Sequence, residues 1–431
     1  MKDILNSLKG DKGIWAFIAL LALLSFMPVF SASSNLAYKS HGSGNALTYL
    51  FRHFMHILIG LVIIHQVHKI PYHYYRFLSR LALPLVWILL AFTLISGTII
   101  DGSNASRWLR IPLVGLTFQP SAFAAIILYI FVARYLSKPK ENPITFKRSF
   151  IDLWIPVGIT LLLILPANFS TTALIFVMVL MLAFIGNYPL KYIGFILAMG
   201  IVGLSFFILV AKAFPDAFPN RVDTWVSRME SFTSNKPTED EYQIEKAKIA
   251  IASGGIYGLG PGKSIQKNFL PQSSSDFIFA IIVEEYGIFG ALAIITIYLL
   301  LLFRFIIAAR NSNSEFGKLL VVGLGFPIIF QAFINMGVAV ELLPVTGQTL
   351  PLISSGGTSI WMICAAIGII LNVTKKEEEI AAELSEKQKR QEAMEKLIDM
   401  QIEADELENS KSENEDYSIE DNPMNAVLDK N

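Results

Sequence analysis

In Leu270-Pro271-Gln272-Ser273-Ser274-Ser275-Asp276-Phe277 a long polar segment runs into an apolar one that continues to about Phe303. An apolar run of that length reads as a membrane span, since a helix needs roughly 20 such residues to cross the hydrocarbon. The junction sets a carboxylate, Asp276, at the membrane edge, with its backbone in the first turn of the helix. The positive end of the helix dipole and the nearness of water let a carboxylate stay ionised there, which suits a general base. The plainer local reading is that Ser275 or Asp276 caps the helix.

The same length criterion marks about ten spans, at 14–31, 48–67, 82–100, 120–137, 151–167, 169–187, 191–213, 277–303, 317–341 and 350–373. Of 431 residues, 53% are hydrophobic and 16% charged, so the expected fold is an all-α polytopic membrane protein. Formal net charge is +0, and bulk charge therefore points to no nucleic-acid partner. The lone Cys364 allows no internal disulfide and suggests no redox or zinc chemistry.

Lys2, Lys9 and Lys12 precede the first span, and Lys69, Arg76 and Arg80 follow the second. Lys138, Lys140, Lys147 and Arg148 follow the fourth, Arg304 and Arg310 the eighth, Lys375 and Lys376 the tenth. An even span count puts all of these on one side and both termini in the cytoplasm. The one large loop, 214–276 between spans seven and eight, then lies outside. It holds Arg221 and Trp225, followed by Tyr242-Gln243-Ile244-Glu245-Lys246-Ala247-Lys248, read as a helix lying at the membrane interface with Ile244, Ala247, Lys248 and Ile251 on one face. A glycine run, Gly254 to Lys263, follows. Such a run lets backbone N–H groups approach an anion, with Lys246, Lys248, Lys263 and Lys267 supplying charge, or else is a series of turns whose lysines touch lipid headgroups.

Two further segments are expected on the outer side. Arg107-Trp108-Leu109 offers a cation beside an aromatic residue, a pattern equally served by a headgroup contact and a membrane anchor. Glu341 to Gly357 carries Pro344, Gly347, Pro351, Gly356 and Gly357 into an apolar run. Irregular backbone at that depth survives only when shielded by protein or water, which predicts a re-entrant or broken helix and an outward-facing cavity.

Taken in order, these motifs resemble the SEDS membrane glycosyltransferases of bacterial cell-wall synthesis, FtsW and RodA, over nearly all of the first 375 residues. The matching residues are Ser31-Ala32-Ser33, Arg107-Trp108-Leu109 with Gln119-Pro120-Ser121, Arg221 with Trp225, Tyr242-Gln243, and the glycine run. Leu270-Pro271 with Asp276, Glu284-Glu285 with Gly287, Gln331 with Asn335-Met336-Gly337, and Leu343-Pro344 through Gly357 complete the set. Leu350-Pro351-Leu352-Ile353-Ser354 looks like the division-type FtsW. Against the family pattern, Ala122 and Ala125 replace a Glu and a Lys, and Gln272 and Ser355 stand where an acidic residue and a Tyr are usual.

The resemblance implies polymerisation of lipid II, the undecaprenyl-diphosphate disaccharide-pentapeptide, with release of undecaprenyl diphosphate. Asp276 would be the base acting on the acceptor's 4-hydroxyl. The leaving diphosphate would be met by Arg107, Lys246 or Lys263, or by a divalent cation, magnesium or manganese. Trp108, Arg221, Tyr242, Gln243, Asn335, Thr346, Ser354, Gly356 and Gly357 would contact substrate. A class B penicillin-binding transpeptidase and other division proteins would be partners, at the septum of the inner membrane.

A competing function is lipid II flipping, whose sequence signature is ionisable groups deep in the bilayer. Glu284 and Glu285 are candidates, about 12 Å below Asp276 on a straight helix, though a structural pair satisfied by neighbours explains them as well. The membrane region ends near Lys376. Residues 377–431 read as a cytoplasmic acidic tail, helical to about Glu406 through Glu383–Lys387, Glu386–Arg390 and Glu392–Lys396 pairs, then disordered.

Overall fold

The computed structural model describes residues 8–39, 46–97, 108–110, 117–138, 145–213 and 239–375, with 385, 388–402 and 404–405 beyond them. Arg107, Arg221 and Trp225 lie outside the described residues, as does 214–238 of the large loop. The chain divides into two compact units, Met1–Thr374 and Lys375–Asn431. In the second, 388–402 is helical with exposed side chains.

The first unit is built from helices α1 (Lys12–Lys39), α2 (Ala46–Val67), α3 (Tyr74–Ser96), α4 (Pro120–Leu136), α5 (Phe146–Ser149), α6 (Ile155–Ile164), α7 (Phe169–Ile185) and α8 (Leu190–Ala213). Helices α9 (Glu239–Gly254), α10 (Ile278–Arg310), α11 (Glu315–Ala339) and α12 (Thr358–Val373) follow. A π-helical turn, Phe150–Trp154, joins α5 to α6. Among the described residues six helices, α1, α2, α3, α8, α10 and α11, are long and apolar enough to cross a membrane, and α4, α7 and α12 are shorter apolar helices. The all-α expectation needs one amendment: β1 (Leu109–Arg110) and β2 (Thr117–Phe118) form an antiparallel pair, Leu109 opposite Phe118.

Helix α11 is the most buried of the long helices and packs against α4, α7, α10 and α12. Where backbones approach closely the contact residues are small, as is usual between membrane helices. Gly60 of α2 and Gly368 of α12 do this for the α2–α12 pair, since a Cβ on Gly60 would lie 2.6 Å from Cys364 Sγ and one on Gly368 2.9 Å from Val67. Cys364 is thereby a buried, free packing residue.

Two boundaries differ from the sequence reading for a physical reason. The last apolar run begins its helix at Thr358 instead of 350, because 340–357 is irregular backbone, with Glu341, Gly347, Leu352 and Gly357 at positive φ. Helix α10 is broken at Gly287 (φ 64°, ψ −160°). The piece from Ile288 to Arg310 alone is roughly 34 Å long at 1.5 Å per residue, enough to span the hydrocarbon. The break follows Glu284 and Glu285, which stay on the same helical piece as Ile278.

Candidate active site

Asp276 ends a series of turns that starts at Pro271, and α10 begins two residues later, with Phe277 as its N-cap and no side-chain cap bond there. The turns are closed locally by Ser275 N–H to Gln272 O (3.2 Å), Phe277 N–H to Gln272 O (3.1 Å) and Ser275 Oγ to Gln272 Oε1 (2.6 Å). That leaves the carbonyls of Ser274, Ser275 and Asp276 to be satisfied from elsewhere, because buried backbone acceptors require partners. Ser355 donates both its N–H and Oγ to Ser274 O (2.9 Å each), and Ser354 Oγ donates to Ser275 O (2.6 Å). Asn335 Nδ2 of α11 bridges Asp276 O and Gln348 O, at 2.7 Å each. Two irregular segments, 271–277 and 345–357, are thus laced into one platform by side-chain donors.

The carboxylate sits on that platform beside Gly347, where a Cβ would come 3.6 Å from Asp276 Oδ2. It lines a cavity of about 750 Å³, large enough for a sizeable part of a ligand of several hundred daltons. The walls are polar where the two segments meet, with Gln272, Ser275, Gln348, Ser355 and Gly356, and apolar deeper, with Leu174, Ile175, Leu324 and Ile328. The cavity expected beside the prolines and glycines of 341–357 is present, and the irregular segment that borders it is held by Gln331 Nε2 to Thr349 O (3.0 Å) and Gln348 Nε2 to Thr171 Oγ1 (3.0 Å).

Of the residues expected to contact substrate, the structure brings Asp276, Trp108, Gly356 and Gly357 to this cavity. Asn335 and Ser354 do not line it; both are buried and spend their donors on the platform backbone. Thr346, Tyr242, Gln243, Lys246 and Lys263 are not among its lining residues either. Lys246 lies over the Tyr242 ring (5.2 Å), an exposed aromatic, and Lys263 is exposed. Sequence reading overlooked Tyr49, Arg52, His53 and His56 of α2, all of which line the cavity. Their signal was available: polar residues three, four and seven apart within an apolar run share one helix face.

Residues 11–379 match the family described as cell cycle proteins, that of FtsW, RodA and SpoVE. The chain belongs to this family. It is 32% identical over 361 residues to a probable peptidoglycan glycosyltransferase FtsW of Nitrosomonas europaea, covering 83% of this chain and 90% of that one. It is 28% identical to the stage V sporulation protein E of Bacillus subtilis over 358 residues, 83% of this chain and 94% of the relative. Among solved structures, a chain of a peptidoglycan synthase complex, studied for the coordination of polymerization and crosslinking, superposes with a TM-score of 0.64 at 23% identity, covering 85% of this chain and 97% of that one. The rod shape determining protein RodA of Thermus thermophilus gives 0.60 at 22%, covering 85% and 96%. These two likenesses establish the FtsW/RodA/SpoVE fold.

In this member of the FtsW/RodA/SpoVE family the glycine run and the two glutamates form one structural unit. The break at Gly287 strips the carbonyls of Glu284 and Glu285 of helical partners, and the glycine run replaces them: Leu259 N–H donates to Glu284 O (2.9 Å), Gly260 N–H to Glu285 O (3.0 Å), and Ile288 N–H returns a bond to Gly255 O (3.0 Å). The carboxylate of Glu284 accepts from Ser264 Oγ, Ile265 N–H (3.0 Å) and Gln266 N–H (3.2 Å), and that of Glu285 from Ser31 Oγ and Ser264 N–H (3.3 Å). Both are buried and neither lines the cavity. The glutamates hold the loop to the helix, and the glycine run consists of turns.

Helix α9 packs along α10 and buries Ile244, Ala247 and Ala250. Lys248 is not on the buried face; it pairs with Glu341 (2.5 Å), whose hydrogen bond and charge raise the lysine's pKa.

Asn335→Ala tests the platform. It removes one amide that satisfies two carbonyls, and we expect a loss of about 1–3 kcal/mol in stability, seen as a lower Tm in detergent. Misplacing Asp276 should also reduce any activity that depends on its position, by roughly 10- to 100-fold.

Proposed function

We propose that this chain is a peptidoglycan glycosyltransferase that polymerises lipid II at the division septum, with Asp276 as general base. The observation that carries the reading is the placement of the Asp276 carboxylate on the wall of a large cavity, on a backbone platform braced from three directions. A sugar hydroxyl is a poor nucleophile, so its proton must leave as the glycosidic bond forms. The Asp276 carboxylate accepts the proton of the acceptor 4-hydroxyl, that hydroxyl's oxygen bonds to the anomeric carbon of the second saccharide, and the bond from that carbon to undecaprenyl diphosphate breaks, releasing the diphosphate. The names of the relatives, probable peptidoglycan glycosyltransferases among them, support the same reaction.

The bracing supports this role because a base held within a fraction of an ångström needs no reorganisation in the transition state. Among the described residues no three His, Cys, Asp or Glu side chains converge to hold a metal ion. The proposed steps run on the chain's own residues. Against the flippase reading, Glu284 and Glu285 bond to the loop and are not among the residues that line the cavity.

In this reading ten spans place both termini in the cytoplasm and the cavity on the outer face of the inner membrane. The polyprenyl tail stays in lipid while the saccharide enters from water. A class B penicillin-binding transpeptidase is the proposed partner. The test is glycan polymerisation from purified lipid II by the chain with that partner, native against Asp276→Asn. Glycan made by the native protein alone supports the reading, and equal synthesis by both rejects Asp276 as the base.

A further inference from the structure

Arg76, Arg80, Lys138 and Arg148 have no part in the chemistry proposed for Asp276, and none of them lines its cavity. The fold draws them together with Arg134. Arg76 and Arg80 stand one turn apart at the start of α3, Arg134 and Lys138 one turn apart at and just past the end of α4, and Arg148 precedes the π-helical turn into α6. Helix α3 packs against both α4 and α6. These ends therefore meet away from the cavity, which the opposite end of α4 borders, roughly 20 Å from Ser121 to Arg134 at 1.5 Å per residue.

The charges at this end are poorly matched. Arg76 Nη2 reaches Ser137 Oγ (3.5 Å), and the charges that act on Arg134 are those of Arg80, Arg76 and Asp152. Partial burial and the charges of Arg134, Arg80 and Arg148 push the Lys138 pKa down, with Asp152 alone acting against them. Among the described residues this sets five cations against one carboxylate, and Asp152 already lies 3.8 Å from Arg148. Arg134 is half-buried, and its Nε is buried with no hydrogen-bond partner. A partly desolvated guanidinium among like charges is costly to hold, and an anion nearby offsets that cost through its field without touching Nε.

The surroundings indicate which kind of anion. Arg76, Arg80, Lys138 and Arg148 are exposed and can meet it directly. Phe77 and Leu81, both exposed, share a face of α3 with Arg80, and Ile151 and Ile155 are exposed beside Asp152. A soluble anion would leave that apolar border bare, whereas a lipid covers it with its chains. The frame is fixed: Tyr188 Oη bonds Ser149 Oγ (2.7 Å) and accepts from Trp154 Nε1 (3.1 Å), which pins the π-helical turn that carries Asp152, and the Arg76 guanidinium lies 4.9 Å over the Phe316 ring.

We propose that this end of the bundle is a binding site for an anionic phospholipid, with Arg76, Arg80 and Lys138 holding the phosphate and the acyl chains lying along Phe77 and Leu81. Arg134 and Arg148 supply the field behind the headgroup.

Native mass spectrometry of the full chain in detergent, titrated with phosphatidylglycerol or phosphatidylcholine, tests this. The native chain should retain phosphatidylglycerol saturably and at least about tenfold more tightly than phosphatidylcholine. Arg80→Gln with Lys138→Gln removes two exposed cations and should weaken phosphatidylglycerol about 10- to 30-fold, leaving phosphatidylcholine unchanged. Arg310 ends α10 and Lys191 opens α8, at the same end of the bundle through the Tyr72–Ser314 bond and the Phe146–Tyr192 ring contact, and neither acts on Arg134 or Lys138. Arg310→Gln with Lys191→Gln removes the same charge and should cost less than about threefold.

Equal weakening in the two double variants would show only the general excess of Lys and Arg on one side of a membrane protein, and would overturn the site. Unchanged binding in the first variant would do so too. Displacement of bound phosphatidylglycerol by an equal concentration of inorganic phosphate would mean that the acyl chains contribute nothing, and would overturn the lipid assignment. If the first double variant does not fold, Arg80→Gln alone, expected to cost about three- to fivefold, is compared with Arg310→Gln on the same terms.

Discussion

Asp276→Asn should leave a folded protein that binds lipid II and makes essentially no glycan. The substitution is close to isosteric, and it leaves in place the bonds that reach this position's backbone carbonyl from Asn335 and its neighbours from Ser354 and Ser355. Stability and the shape of the cavity should therefore persist, with a Tm within a degree or two of the native value. What disappears is the proposed acceptor for the hydroxyl proton. Loss of a general base typically costs about 10²–10⁴-fold in rate, and polymerisation followed by gel separation of glycan products should fall below detection over that range. Polymerisation at more than a tenth of the native rate, with an unchanged Tm, would show that the proton leaves by another route.

Asp276 was legible in the sequence because a carboxylate at a polar-to-apolar junction is conspicuous, and the cavity was legible because prolines and glycines cannot sit at membrane depth unshielded. Roles that depend on what a residue faces were not. Asn335 and Ser354 were expected to contact ligand only because they match the family's motifs, and a motif gives a residue's type without what it faces. In the fold they face orphan carbonyls of the turns around Asp276, and a buried acceptor uses the nearest donor. The α2 residues escaped for the opposite reason: averaged over a span, one arginine and two histidines barely lower the hydropathy of 48–67, although their spacing puts them on a single face. The engagement of Glu284 and Glu285 with the glycine run escaped because it follows from the helix break at Gly287. The sequence shows a glycine there, and only the backbone shows that its φ is 64°.

The same distinction separates glycines that look alike, and it gives the largest stability effect expected of the chain. Gly258→Ala should prevent folding or destabilise by more than about 4 kcal/mol, at the extreme of single substitutions. A Cβ at Gly258 would lie 2.2 Å from Glu285 O and 2.6 Å from Tyr286 N, backbone atoms that cannot move without undoing the bonds from Leu259 and Gly260 that cap the broken helix. Its φ of +79° adds strain for any L side chain. Gly262, four residues on, has almost the same φ, +77°, but open space around it, so Gly262→Ala should cost only the left-handed conformation, about 1–2 kcal/mol. Thermal unfolding of the two purified variants in one detergent measures the difference. A shared modest loss in Tm would mean that the glycine run is not docked against Gly287. A large loss confined to Gly258→Ala, with the glutamate carboxylates left unsupported, would establish that the loop and α10 form one unit.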